Sequence, residues 1–405
     1  MDQHVMKRTV CELFAGVGGF RLGLERSSPA WETVWFSQWE PNKSKQWAHG
    51  CYVSHWGDID KDTGIDIALV DKSTIPDHNL LVGGFPCQDY SVARPLPGST
   101  GIKGRKGVLW WQIRDALEAK HPPFGLFENV DRLLRSPAPQ KGRDFGVILA
   151  CLDALGYFVE WRVINAAEYG AAQRRRRVFI FISKTTTQHA VRVCRHKTSI
   201  LTKTGFFART FPVLEIGPVS SINIKGLGLS SISNRLCFHF ENAGYMESGT
   251  IHTAKAIPKI EPPVCLRSLL EDDVPEKYYL GKDVQKWEYL KGSKRVQRTS
   301  KTGHKYTFAE GAIAFPDPLD LPARTILTSE SSMNRSTHII RDPQTERLRM
   351  LTPIEVERIQ GFDEDWTKTG MPEKYRYFCM GNALVVPVIT RMGKMLDQIF
   401  EQESL

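Results

Sequence analysis

The sequence predicts an α/β protein whose doubly wound, mostly parallel sheet is joined to a smaller, irregular domain. Three observations carry this. Between residues 8 and 182, short β-rich runs alternate with helical patterns, the signature of parallel βαβ units with right-handed crossovers. From Ser183 to about Pro322 the alternation dissolves into Gly, Ser, Pro and Thr with isolated apolar runs. Helical signals then return in "TPIEVERIQGF" and "VVPVITRMGKMLDQIF". The expected division is therefore 1–183, 184–322 and 323–405.

Taken in order, "RTVCELF" reads as a strand and "GFRLGLERS" as a helix opened by glycines. "TVWFSQWE" and "HNLLVGG" read as strands, and "WWQIRDALEAK" as a helix. "FGLFENV" is a strand, "FGVILACLDALG" a helix with Gly156 just past its end, and "YFVEWRVI" and "RRVFIFIS" are strands.

Composition limits the function classes. A chain of 405 residues with 41% hydrophobic content and 10 tryptophans folds into roughly two globular domains. There is no run of eighteen apolar residues, so no membrane partner is expected, and no signal peptide is seen. Eight cysteines without CxxC pairs argue against a metal site or disulfide framework and for a reducing, cytoplasmic setting. The net charge of +9 is concentrated: residues 184–340 hold 22 Lys+Arg and 14 Asp+Glu, a net +8. Within them "KGSKRVQRTSKTGHK" has six basic residues and no acid. It is either a grip for a phosphate backbone, with Lys291, Lys294, Arg295 and Arg298 as candidates, or a solvated loop.

Ligands of such sheets bind at the C-terminal ends of the strands. Those ends read "FAGVGGF" after the first strand, Glu40 after the second, "GDI" after the third, "GFPCQ" after the fourth and "ENV" after the fifth. Gly16, Gly18 and Gly19 let a ligand carboxylate or phosphate approach a helix N-terminus. Glu40 falls at the right distance to bond ribose hydroxyls. Cys87, after Pro86 in "LLVGGFPCQDYS", is either a packing residue or a nucleophile on a rigid turn.

Read together, "FAGVGGF", "GGFPCQ", "FENV", "QRRRR", "RLRMLTPIEVERIQGF" and "GNALVVPV" resemble, in order, the motifs of the bacterial-type DNA (cytosine-5) methyltransferase family. They span residues 9–182 and about 322–400, both flanks of the basic block. The resemblance implies a Rossmann-like, S-adenosylmethionine-dependent methyltransferase whose central block recognises the target. It implies Cys87 as the thiolate that adds to cytosine C6 and Glu128 as the acid that holds N3. Arg175 would hold the base carbonyl. Phe14, Ala15, Gly16, Gly18, Gly19, Phe20, Glu40, Asp58, Ile59 and Asn382 would hold the cofactor, with Asp58 accepting from the adenine amino group. Gln88, Ser91, Gln173 and Arg177 join the four basic residues as DNA contacts. On a strand, Gln173, Arg175 and Arg177 share one face and Arg174 and Arg176 the other.

The resemblance further implies double-stranded DNA as partner, a flipped target base, a monomer on DNA, and a companion restriction endonuclease. Its last helix is expected to return to the cofactor domain. An RNA cytosine-5 methyltransferase and a catalytically silent DNA-binding protein are the alternatives. The large basic block opposes the first, and intact Cys87, Glu128 and Arg175 the second. Two stretches depart from the pattern. The loop "VARPLPGSTGIKGRKG" is rich in Pro and Gly, and "SLLEDDVPEKYYL" comes late, leaving 184–262 as an extra element.

Overall fold

The computed structural model describes residues 6–60, 62–85, 109–300 and 303–403. The N-terminal part runs β1 (Thr9–Leu13), α1 (Gly19–Glu25), β2 (Glu32–Ser37), α2 (Trp47–Trp56), β3 (Leu80–Gly84) and α3 (Trp110–Lys120). It continues through β4 (Phe124–Val130), α4 (Arg143–Ala154), β5 (Tyr157–Asn165) and β6 (Arg176–Lys184). Strands β1 and β3 are buried along nearly their whole length, as expected of parallel strands covered on both faces.

These strands belong to one nine-stranded sheet. Its first half, β2-β1-β3-β4, is parallel throughout, and its second half, from β6 onward, is antiparallel. Side chains alternate across it. Cys11, Leu13, Leu81 and Phe127 enter a core with α3 and α4. Val10, Leu80, Val82 and Leu126 enter a second core on the opposite face.

The block expected to be poor in strands is not uniform. After α5 (Gln188–Arg195) and α6 (Phe206–Thr210) come β7 (Val213–Ile216), β8 (Ser220–Asn223), α7 (Leu229–Arg235), β9 (Ala243–Glu247), β10 (Thr250–Ala254) and β11 (Ala256–Pro258). Strand β9 pairs with β5, and β10 and β8 continue outward, so this stretch extends the main sheet. These strands are three to five residues long and separated by Gly and Ser, which hides them from a periodicity reading. The irregular part begins later. It holds α8 (Val284–Lys291) and a two-stranded ribbon, β12 (Lys294–Thr299) with β13 (Lys305–Glu310).

The remainder contains β14 (Ile339–Arg341), β15 (Leu348–Met350), α9 (Pro353–Gln360), α10 (Glu373–Asn382) and α11 (Val386–Glu403). Helix α9 opens on a capping box, Thr352 with Glu355 and Pro353 in the first turn, and closes on Gly361 at φ 82°, a full set of helix boundary signals. Helix α11 does return: Val388, Ile389, Met392, Leu396 and Phe400 share a core with Phe20, Leu24 and Leu126.

Candidate active site

The C-terminal ends of β1, β2, β3 and β4 lie side by side through the pairings Leu13↔Ser37, Leu13↔Gly83 and Gly84↔Glu128. The segments that follow them therefore share one edge of the sheet. After β1 the chain turns through Phe14 (φ 57°), Gly16 (φ 59°) and Gly18 (φ 87°) into α1. The glycines differ in purpose. A Cβ on Gly16 would meet none of the described residues within 4 Å, leaving room for a ligand, whereas one on Gly18 would fall 2.2 Å from the Trp56 ring. Gly19 faces Leu384, two residues past Asn382, so the C-terminal motif lies against the glycine turn. Ala15 is buried and donates its N–H to Ser37.

Phe20 does not line the cofactor space as expected; its side chain is 2% exposed and lies in the core shared with α11. A residue that sequence reading passed over stands beneath the turn. Glu12 is buried, receives the Tyr52 hydroxyl at 3.1 Å, and burial pushes its pKa up to about 8. The first-turn amides of Phe20 and Arg21 favour its charged form, so the amide dipoles of α1 already serve an internal carboxyl. An acid inside the apolar run "VCELF" was the available signal.

After β2, Trp39 is 37% exposed. Glu40 accepts from the Ala48 N–H at 3.1 Å, capping α2. The "GDI" residues follow a helix, α2, and not the expected third strand: Gly57 at φ 78° ends it. Asp58 is exposed, and its Oδ1 accepts from the Ile59 N–H at 3.0 Å and the Thr63 hydroxyl at 2.7 Å. Ile59 is 42% exposed and Asn382 is exposed at the end of α10. Open space at Gly16, two exposed apolar side chains and the acids Glu40 and Asp58 suit an adenosine-bearing ligand. Cys87, Gln88, Ser91 and the Pro/Gly-rich loop after them lie outside the described residues.

The acid of the site is described in full. Glu128 sits near the end of β4 opposite Gly84, where an added Cβ would come within 3.4 Å of its carboxylate. Its carboxylate accepts from Arg177 Nε at 2.8 Å. Burial raises its pKa, while Arg177 and then Arg175 act to lower it. The neighbouring Asn129 donates from its amide to the Phe85 carbonyl at 2.8 Å. That bond ties the segment leading to Cys87 to the strand carrying Glu128.

Arg175, expected to hold the base carbonyl, and Arg177, expected to contact DNA, bond within the chain instead. Arg175 is 3% exposed, and its guanidinium donates to the carbonyls of Ile326 at 3.1 Å and Gly381 at 3.0 Å. It braces three segments together, and Arg177 is the one on Glu128. Gln173 is fully buried and accepts from the Ile326 N–H at 3.0 Å, a position closed to direct DNA contact. Arg174 and Arg176 are exposed, so the expected alternation of faces is present although β6 begins only at Arg176.

The basic block also needs correction. Lys291 is 1% exposed, bonded to the Thr337 carbonyl and 4.0 Å from Asp317; it cannot reach a phosphate. Lys294 is half-buried with its ammonium 4.5 Å from the Tyr289 ring centre. Arg298 stacks on Phe308 at 3.8 Å, and Arg295 is exposed. Among the described residues no group of His, Cys, Asp and Glu is placed to hold a metal. None of their helices is long and apolar enough to cross a membrane.

A glycine turn, the acids Glu40 and Asp58 near it and a half-buried glutamate–arginine pair define a methyltransferase site on a Rossmann-like sheet. The chain belongs to the C-5 cytosine-specific DNA methylase family, whose model matches residues 8–398. It is 48% identical over 399 residues to the type II methyltransferase M.Sau3AI of Staphylococcus aureus, covering 97% of this chain and 96% of that one. It is 24% identical over 404 residues to M1.ScrFI of Lactococcus lactis subsp. cremoris, covering 100% and 81%. The solved structure of Spodoptera frugiperda DNMT2 shares the fold at TM-score 0.60 and 14% identity, covering 97% of this chain and 99% of that one. The protein is thus a type II DNA (cytosine-5) methyltransferase, with DNA as implied substrate and S-adenosylmethionine as implied methyl donor.

Proposed function

We propose that this enzyme methylates C5 of a flipped-out cytosine within a specific duplex sequence through a covalent Cys87 adduct, as the modification partner of a restriction endonuclease. The observation that carries this reading is Glu128: half-buried, with a raised pKa, bonded to Arg177, and opposite the glycine three residues before Cys87. Cytosine C5 is a weak nucleophile. Addition of the Cys87 thiolate to C6 makes C5 enamine-like, and charge develops on the ring. Burial shifts Glu128 towards its protonated form, in which it would donate to N3 as that charge appears. Arg177, on the Glu128 carboxyl, would take the base carbonyl.

Glu40, Asp58, Ile59, Trp39 and the Gly16 turn would hold S-adenosylmethionine, which when bound supplies an electrophilic methyl group for C5. Loss of the C5 proton then expels Cys87 and restores the thiolate. The target ring lies inside the duplex stack, so these groups act only on an extruded base.

The test is a duplex with 5-fluorocytosine at the target. Fluorine cannot leave as a proton does, so wild-type enzyme with S-adenosylmethionine should form an adduct stable to denaturation. Cys87→Ser should form none and should not methylate cytosine. An adduct on another residue, or wild-type turnover by the Ser variant, would overturn the assignment.

A further inference from the structure

The β12–β13 ribbon has two chemically different faces. Directly opposed residues of an antiparallel pair share a face. Arg295, Gln297 and Thr299 therefore lie with Ala309, Thr307 and Lys305, while Lys294, Val296 and Arg298 lie with Glu310, Phe308 and Tyr306. On the first face every one of the six residues is exposed, and five are polar. The second face is partly covered: Lys294, Phe308 and Glu310 are half-buried and Arg298 lies on the Phe308 ring. The first face thus packs on nothing among the described residues.

The ribbon is nevertheless firmly rooted. Arg335 donates to the carbonyls of Leu290 and Gly292 just before β12, at 3.1 and 3.0 Å, and to that of Gly311 just after β13. Asn334 shapes the loop that carries Arg335, accepting from the Ser336 N–H at 2.7 Å and donating to Thr337 at 2.8 Å. The same loop leads back to Ile326, which Arg175 and Gln173 bind beside the active site. A two-stranded ribbon alone is marginal in water; this one is clamped at its base with a bare polar face.

We propose that this face reads two base pairs from the DNA major groove, Arg295 a guanine and Gln297 an adenine. The inference rests on the reading of the enzyme as a sequence-specific DNA methyltransferase. A two-stranded ribbon fits the major groove, and Arg and Gln are the side chains whose bidentate geometry matches guanine and adenine edges. Gln297 is already oriented: its Nε2 donates to the Thr307 hydroxyl at 3.0 Å. One amide hydrogen is thereby used across the strands. The second hydrogen and Oε1 remain as the donor and acceptor that adenine N7 and N6 require. Lys294 and Arg298 lie on the opposite face, against Tyr289 and Phe308, and leave the base edges to Arg295 and Gln297.

Sequencing 5-methylcytosine in DNA from a methylation-free host expressing each variant tests this. The wild type in the same host tests the underlying reading, which fails if no 5-methylcytosine appears at any fixed sequence. Given a wild-type motif, Arg295→Ala and Gln297→Ala should each relax it at one position, with discrimination there falling roughly tenfold to a hundredfold. Should a variant methylate too little to sequence, its binding to duplexes substituted at each position in turn should show the same single-position loss. An unchanged motif in both variants, or an equal loss of affinity for every sequence, would overturn the proposal.

Discussion

The arginine string at 173–177 and the basic ribbon region at 291–305 look alike as sequence and differ in structure. In the first, Arg175 is turned onto two backbone carbonyls and Arg177 onto Glu128. In the second, Arg295 is exposed and Arg298 lies over an aromatic ring, while Lys291 at its root is buried. Positive charge in a sequence is therefore no measure of grip on an anion. What separates brace, catalytic partner and DNA contact is the acceptor each cation finds within its own chain.

The largest effects should divide the string itself. Glu128→Gln and Arg177→Ala should each lower kcat by a factor on the order of 10²–10⁴, with unfolding midpoints and S-adenosylmethionine affinity nearly unmoved. Arg175→Met should do the opposite in part. Two carbonyls lose a buried charged donor, costing about 2–4 kcal/mol of stability in urea unfolding. Equal stability losses for Arg175→Met and Arg177→Ala would erase the distinction.

A smaller effect sharpens the second region. Replacing Lys294 and Arg298 with Gln should weaken binding to all duplexes alike. The plot of log affinity against log salt should flatten by about 0.9 for each phosphate that is no longer neutralised. The methylated sequence should stay the same, as genome-wide methylation mapping would show. An unchanged slope would mean that these two residues touch no phosphate.

A pH-dependent effect concerns Lys291, whose pKa burial lowers from 10.5 to about 8. Between those values the unfolded chain binds more protons than the folded one, so stability rises with pH across that window. Below about pH 8 the cost of burying the charge is fully present. Urea unfolding from about pH 7.5 to 10.5 should show this rise in the wild type relative to Lys291→Met. Parallel curves would place Lys291 in the ordinary, solvated range.

The parallel half of the sheet was legible because its strands are mostly apolar, β-rich runs that alternate with helical patterns. The antiparallel extension was not, since β8 reads "SSIN" and gains its place only by pairing with β10. The alternation in "QRRRR" correctly separated buried from exposed side chains. It could not say which buried arginine meets Glu128, because Arg175 is claimed by Ile326 and Gly381, both far along the chain. Glycine spacing likewise marked the tight turn after β1 but not that Gly18 makes room for Trp56. The "GDI" error had a similar source: "WAHGCYVSHW" has little amphipathic pattern, and its helical state is fixed by the Glu40 cap and by packing.

Helix α11 has a consequence for how the protein is made. Gly23 of α1 lies against Ile389, and Arg8 pairs with Asp397. The core behind the glycine turn is therefore completed by residues translated after the β12–β13 ribbon and everything before it. A chain emerging from the ribosome carries Cys87, Glu128 and the ribbon while one face of its sheet is still bare, and associations so distant along the chain form late. The core behind the glycine turn is thus complete only once α11 has docked on α1.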